Sequence, residues 1–196
     1  MSIFFAVFIA CALVIDRSGL AGLGLLCILI HECGHIFAIR IMNIKVERVE
    51  FRLFGINIAL KNGTSISYRQ EILLSLSGCA ANFAACIPAY ILYVCGIAAR
   101  FSGTIFIFNL FLACFNILPV ISLDGGRAFE SFLCLKTSCQ KAETVVNITS
   151  VIFIIPTAAI GFYLVMKTGY NISLVVASVY LFVALVIKSG KKMACR

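Results

Sequence analysis

Charge is what this sequence has least of. Only 12% of its 196 residues are Asp, Glu, Lys or Arg, against about 25% in an ordinary soluble domain. Hydrophobic residues make up 62% and the mean hydropathy is +1.10, the composition of a polytopic membrane protein. A soluble α/β enzyme, a secreted disulfide scaffold and a disordered tail are thereby excluded. The chain also lacks any C-x-x-C pair. Its ten cysteines lie mostly inside apolar runs, where a free Cys behaves as a small buried hydrophobe. The N-terminus lacks the basic region and A-x-A site of a cleaved signal peptide. Tryptophan is absent, and histidine occurs only twice in the whole chain.

The excess of basic residues, +8 in net charge, would suggest nucleic acid in a soluble protein. Here it reads as topology, and no direct nucleic-acid contact is expected. Apolar segments run over about 3–15, 19–42, 72–99, 104–123, 145–166 and 170–187. The first is short for a span, which needs about 20 residues. With six spans, the loops alternate between two sides. One side takes Arg40, Lys45, Arg48, Arg52, Lys61, Arg69, Arg127, Lys136, Lys141, Lys188, Lys191, Lys192 and Arg196. The other takes only Arg17, Arg100 and Lys167. The basic side, with the C-terminus, is therefore expected in the cytoplasm.

Between the second and third segments the period changes. Val49, Phe51 and Leu53 alternate with Arg48, Glu50 and Arg52, as in a half-buried strand. Ile56, Ile58 and Leu60 then share a face, Asn62-Gly63 is a hairpin-type pair, and Ser65 to Tyr68 could return as a second strand. A small amphipathic sheet at the membrane surface is expected there, an irregular interfacial loop being the alternative.

Both histidines fall in His31-Glu32-Cys33-Gly34-His35. Positions i and i+4 share one helix face, so two imidazoles can meet one zinc ion, with Glu32 beside them as a base. The motif interrupts an apolar helix, where ionisable groups are costly unless they serve a function. Two structural histidines packing on a neighbour would be the bland alternative. A catalytic zinc site takes three protein ligands and keeps one open position. Among the eight acids, Asp16 lies on the wrong side, and Glu47, Glu50 and Glu71 belong to the surface sheet and a helix start. Asp124 ends a long apolar segment on the side toward which the histidine helix runs, and is the best third ligand; capping a following helix is its alternative role. The preceding Asn116-Ile117-Leu118-Pro119 and the following Gly125-Gly126 break the helix, as backbone does where it lines a cavity.

The H-E-x-x-H inside a membrane helix and the later N-x-x-P-x-x-x-L-D-G resemble the site-2 protease family of intramembrane zinc metalloproteases. So does Ser77-Gly78-Cys79-Ala80-Ala81-Asn82, which keeps Gly78 and Asn82 of the G-P-x-x-N pattern but carries Cys79 for Pro. The likeness covers about residues 19–130. Residues 142–196 match only as two further spans, as in the six-span bacterial sporulation branch, and neither a CBS nor a PDZ domain is expected. The resemblance implies one membrane-embedded domain, with a core over 19–130 and accessory spans over 142–190. The expected fold is all-α with about six transmembrane helices and a small β-hairpin. One Zn2+ per chain would be held by His31, His35 and Asp124, with Glu32 as catalytic base and Asn82 and Asn116 lining the site. An Asn at such a position can equally join helices by hydrogen bonds alone. The substrate would be a membrane-associated or single-span protein, such as a transcription-factor precursor or an anti-sigma factor, in a bacterial cell membrane. Two rivals belong to other classes. A metal-ion or proton transporter could use the same His, Glu and Asp, but its polar groups should be spread along a pathway. A non-catalytic scaffold leaves the zinc motif without a reason.

Overall fold

The computed structural model describes residues 16, 18–44, 46–52, 55–60, 66–168, 178, 179, 181–183 and 185. Segment 3–15, most of 170–187, the Lys61–Thr64 tract and the basic tail lie outside them. The described chain is mostly helical, and four of its helices are long and apolar enough to cross a membrane.

Helix α1 (Leu20–Ile41) is 22 residues long, or about 33 Å at 1.5 Å per residue, enough for a bilayer core. Its orphan N–H groups are met from outside the helix. The Asp16 carboxylate accepts from the backbone N–H of Ser18 at 2.9 Å and from that of Ala21, the service a capping side chain performs. At the other end Asn43 takes a positive φ of 49°. Its N–H donates to the Arg40 carbonyl, and the Ile44 N–H donates to that of Ile39. This is a Schellman turn with Asn in the glycine position.

Beyond α1 the backbone of β1 (Val46–Arg52) pairs antiparallel with that of β2 (Gly55–Leu60), with Val49 opposite Ile58 and Phe51 opposite Ile56. Of the expected return strand over Ser65–Tyr68, the described residues 66–68 form no strand. Ser67 instead caps helix α2 (Tyr68–Val94), accepting from the Gln70 N–H while the Gln70 side chain accepts from the Ser67 N–H. That reciprocal pair is a capping box, and it satisfies two donors at the helix entry. Helix α2 ends in a second Schellman turn at Gly96, φ 71°, and the chain reverses directly into α3 (Ala99–Asn116).

Residues 1–115 and 116–196 form two compact units. In the first, α1 and α2 cross where glycines remove the side chains. A Cβ on Gly34 would come within 2.5 Å of the Ser77 carbonyl oxygen and 2.7 Å of the Ala81 Cβ. Helix α3 joins through Asn109, whose amide nitrogen is 2.9 Å from the Ile105 carbonyl and 3.1 Å from the Cys27 sulfur. Small residues and polar contacts of this kind hold helices together where lipid supplies no hydrophobic drive. The outer faces are apolar too: Leu29, Phe37, Leu73, Ile87 and Ile91 are exposed. Apolar residues on both faces mark a helix made for lipid.

The second unit opens on a break. Residues 117–123 leave the helix after Asn116, earlier than the apolar run to 123 suggests, because Pro119 has no N–H to donate. Val120 and Ile121 are buried, so their backbone polar groups need partners. The Ile121 N–H donates to the Ser150 hydroxyl at 2.8 Å, and the Pro119 carbonyl accepts from Thr149 at 3.3 Å. Both threads come from α5 (Cys139–Thr168). The chain resumes as the short helix α4 (Asp124–Cys134). Its Gly125 and Gly126 lie so close under the Ile117 and Val120 carbonyls that any Cβ would collide with them.

Candidate metal centre

The two imidazoles of α1 lie on one face and are nearly buried, His31 5% and His35 8% exposed. Their rings meet edge to face, with centroids 4.9 Å apart and planes at 82°. The two Nε2 atoms are 3.3 Å apart. Two nitrogens bound to one zinc at about 2.0–2.1 Å with a tetrahedral angle are separated by roughly the same distance.

The opposite ring nitrogens decide which atoms face that gap. His35 Nδ1 is 2.9 Å from the Leu74 carbonyl oxygen, which can only accept. So Nδ1 carries the proton and Nε2 the lone pair. Ser77 reinforces this by donating its hydroxyl to the same carbonyl at 2.6 Å. His31 Nδ1 faces the Asn82 side-chain amide at 3.3 Å. Asn82 is fully buried, and its Oδ1 has no hydrogen-bond partner. Exchanging amide oxygen and nitrogen, an assignment made by hydrogen bonding rather than seen directly, would turn Oδ1 onto His31 Nδ1–H. Each histidine can then donate through Nδ1, the outer hydrogen bond that metal-bound histidines characteristically make, with its Nε2 turned toward the other ring.

Space for the ion comes from α2. A Cβ on Gly78 would stand 2.5 Å from His35 Nε2 and 2.7 Å from His31 Nε2. The absence of that one carbon leaves a cradle against both nitrogens, so the residues present fit a zinc ion. Glu32 follows His31 and is half-buried, beside the pair rather than within it.

His31, His35, Glu32 and Asn82 thus all belong to the first unit. Asn82 stands behind His31 and not at an open surface. Asn116 and Asp124 belong to the second unit, at the two ends of its broken segment. Asp124 does not cap α4: Leu123 is the N-cap residue, with no side-chain capping bond, and Asp124 is the first helical residue. Cys79 went unrecognised as a site residue in the sequence. It is 2% exposed, and its sulfur lies within 4.8 Å of a His31 ring nitrogen. The one available signal was its place beside Gly78, three residues before Asn82 on the same helix face.

Residues 95–157 match the model of peptidase family M50. The solved structure of the site-2 protease from Methanocaldococcus jannaschii superposes with a TM-score of 0.66 at 20% identity, covering 95% of this chain and 87% of that one. No curated protein matches the chain. The apolar helices and this likeness make it an integral membrane protein. Over residues 95–157 the chain is thus similar in sequence to peptidase family M50, and along nearly its whole length its fold is similar to that of the Methanocaldococcus jannaschii site-2 protease.

Proposed function

We propose that the chain is an intramembrane zinc metalloprotease, of the sporulation-type branch, that hydrolyses a peptide bond of a membrane-associated or single-span protein. The observation that carries the reading is the pair of Nε2 atoms 3.3 Å apart, with the His35 ring held from behind by the Leu74 carbonyl and the His31 ring by the Asn82 amide. A zinc ion held there supplies Lewis acidity, making a water nucleophilic near neutral pH and stabilising charge on the carbonyl oxygen. The remaining work falls to the chain. Leu74 and Asn82 hold the imidazoles in place. Glu32 accepts the proton of the attacking water and returns it to the departing amine. Asp124 serves as the third ligand, and Asn116 turns its amide toward the scissile carbonyl. The substrate must be locally unwound before it can react, and the backbone edge of β1 or β2 offers an extended segment a strand to pair with. The site opens to the cytoplasm of a bacterial cell, and the substrate class is a transcription-factor precursor or an anti-sigma factor.

The test is cleavage of a single-span substrate by the purified protein, with and without a chelator, alongside Asp124→Asn. Chelation should abolish cleavage and added zinc restore it. Asp124→Asn, a poor ligand for a dipositive ion, should lose both zinc and turnover. Cleavage that continues in full through exhaustive chelation would overturn the reading.

A further inference from the structure

On one flank of their crossing, helices α1 and α2 leave a groove of about 400 Å³, the size of a small-ligand site. Gly34, Ala38 and, just past the end of α1, Met42 line one wall; Leu73, Ser77 and Ala80 of α2 line the other. Each wall covers about 12 Å of helix at 1.5 Å per residue. Among the described residues lining it, Ser77 is the one with a polar side chain, and its hydroxyl turns inward. It donates to the Leu74 carbonyl at 2.6 Å and lies 3.3 Å from His35 Nδ1. What the groove offers an occupant is therefore carbon. Charge collects at one end of it. The helices run antiparallel, with Gly34 against Ser77 and Ala81 and His35 against Leu74, so Met42 and Leu73 mark the end nearer Arg40 and Arg69. Arg69 precedes Leu73 by four residues and shares its face of α2. Both arginines are exposed. Glu71, two residues on from Arg69, lies about 200° round the helix.

We propose that this groove holds an acyl chain of an anionic phospholipid whose phosphate is met by Arg69 and Arg40. A slender, unbranched apolar chain matches a cleft that turns no donor or acceptor toward its occupant. A second helix matches it poorly. At about 10 Å across, roughly one turn of helix would take the whole volume, and an apolar span brings no charge to the arginines. A phosphate does, and the planar guanidinium fork can give it two parallel hydrogen bonds. Basic clefts between membrane helices hold anionic headgroups in this way on the cytoplasmic side, where the asymmetry of Lys and Arg puts this end of α1 and α2. The groove also backs onto the support of the histidines. Gly34 precedes His35, and Ser77 shares the Leu74 carbonyl with the His35 ring. A bound chain packs against that crossing and steadies it. The lipid site does not depend on the zinc reading.

The experiment is native mass spectrometry of the full chain, delipidated in detergent and titrated with phosphatidylglycerol or phosphatidylcholine of equal chain length. Wild type should retain one phosphatidylglycerol and bind phosphatidylcholine on the order of tenfold more weakly. Arg69→Gln should weaken phosphatidylglycerol about fivefold, and the control Arg100→Gln, exposed on α3, should leave it unchanged. Ala80→Leu fills the groove from an exposed position and should weaken both lipids alike; Ala38→Leu does the same from α1. Circular dichroism and the unfolding temperature in detergent show that these variants are folded. The wild type alone tests the apolar part: phosphatidylglycerol with six-carbon chains should bind more weakly than the sixteen-carbon lipid, because each buried CH2 adds affinity. Equal binding of the two headgroups, no effect of chain length, or an affinity unchanged by Arg69→Gln or by a folded Ala80→Leu overturns the proposal. A wild-type dimer that Ala80→Leu dissociates overturns it equally, and gives the groove to a second copy of the chain.

Discussion

At the scale of single residues, the proposed centre depends on groups that would never touch its metal. Asn82 is the clearest of them. Its side-chain amide stands 3.3 Å from His31 Nδ1, and with its oxygen turned to that nitrogen it holds the proton off Nε2. Asn82→Leu removes the acceptor and should weaken zinc binding by about 10–100-fold, the usual effect of losing an outer hydrogen bond. Asn82→Asp keeps an acceptor in the same place and should retain zinc. Zinc titration of both variants separates positioning from packing, because a residue that only filled space would tolerate Leu better than a buried charge. The His31 and His35 pair could be read from the chain itself, since two imidazoles and a carboxylate in an apolar helix have no cheap alternative. Their supports could not. The acceptor for His35 is the backbone carbonyl of Leu74, which no side chain announces. Cys79, whose sulfur lies within 4.8 Å of a His31 ring nitrogen, was hidden by its chemistry, because a thiol passes as an apolar side chain.

At the scale of elements, the long helices follow from the runs of apolar residues, and the departures lie at their ends. The stretch before Tyr68 alternates like a strand, yet Ser67 and Gln70 form a capping box. Local hydrogen bonds at the helix entry won over a two-residue period only a few residues long. Pro119 and the Gly125-Gly126 pair correctly signalled a break, but not what supports it. That support is Ser150, fully buried on α5, which accepts from the Ile121 N–H and donates to the Val146 carbonyl at 2.7 Å. Ser150→Ala removes the hydroxyl that accepts from the buried Ile121 N–H and should cost about 1–3 kcal/mol. Thermal or denaturant unfolding in detergent measures it, and a loss below a few tenths would mean that the break is held by other contacts. Because the broken segment leads into Asp124, cleavage should fall with stability in this variant.

For the whole molecule, the asymmetry of Lys and Arg predicts orientation, with Lys136 and Lys141 in the cytoplasm. An impermeant amine reagent applied to intact cells should therefore leave both lysines unmodified, and should modify them once the membrane is opened. Labelling of Lys136 in sealed cells would reverse the topology and turn the proposed active site outward.

The most direct measurement joins metal and chemistry in one sample: zinc content and substrate cleavage of Glu32→Gln, prepared beside the wild type. Glutamine keeps the shape of Glu32 and removes the base without removing a ligand. Zinc should stay at the wild-type level, near one per chain, while cleavage slows by about 10²–10⁴-fold. Zinc-loaded Glu32→Gln that cleaves at the wild-type rate would contradict a metalloprotease built on this motif.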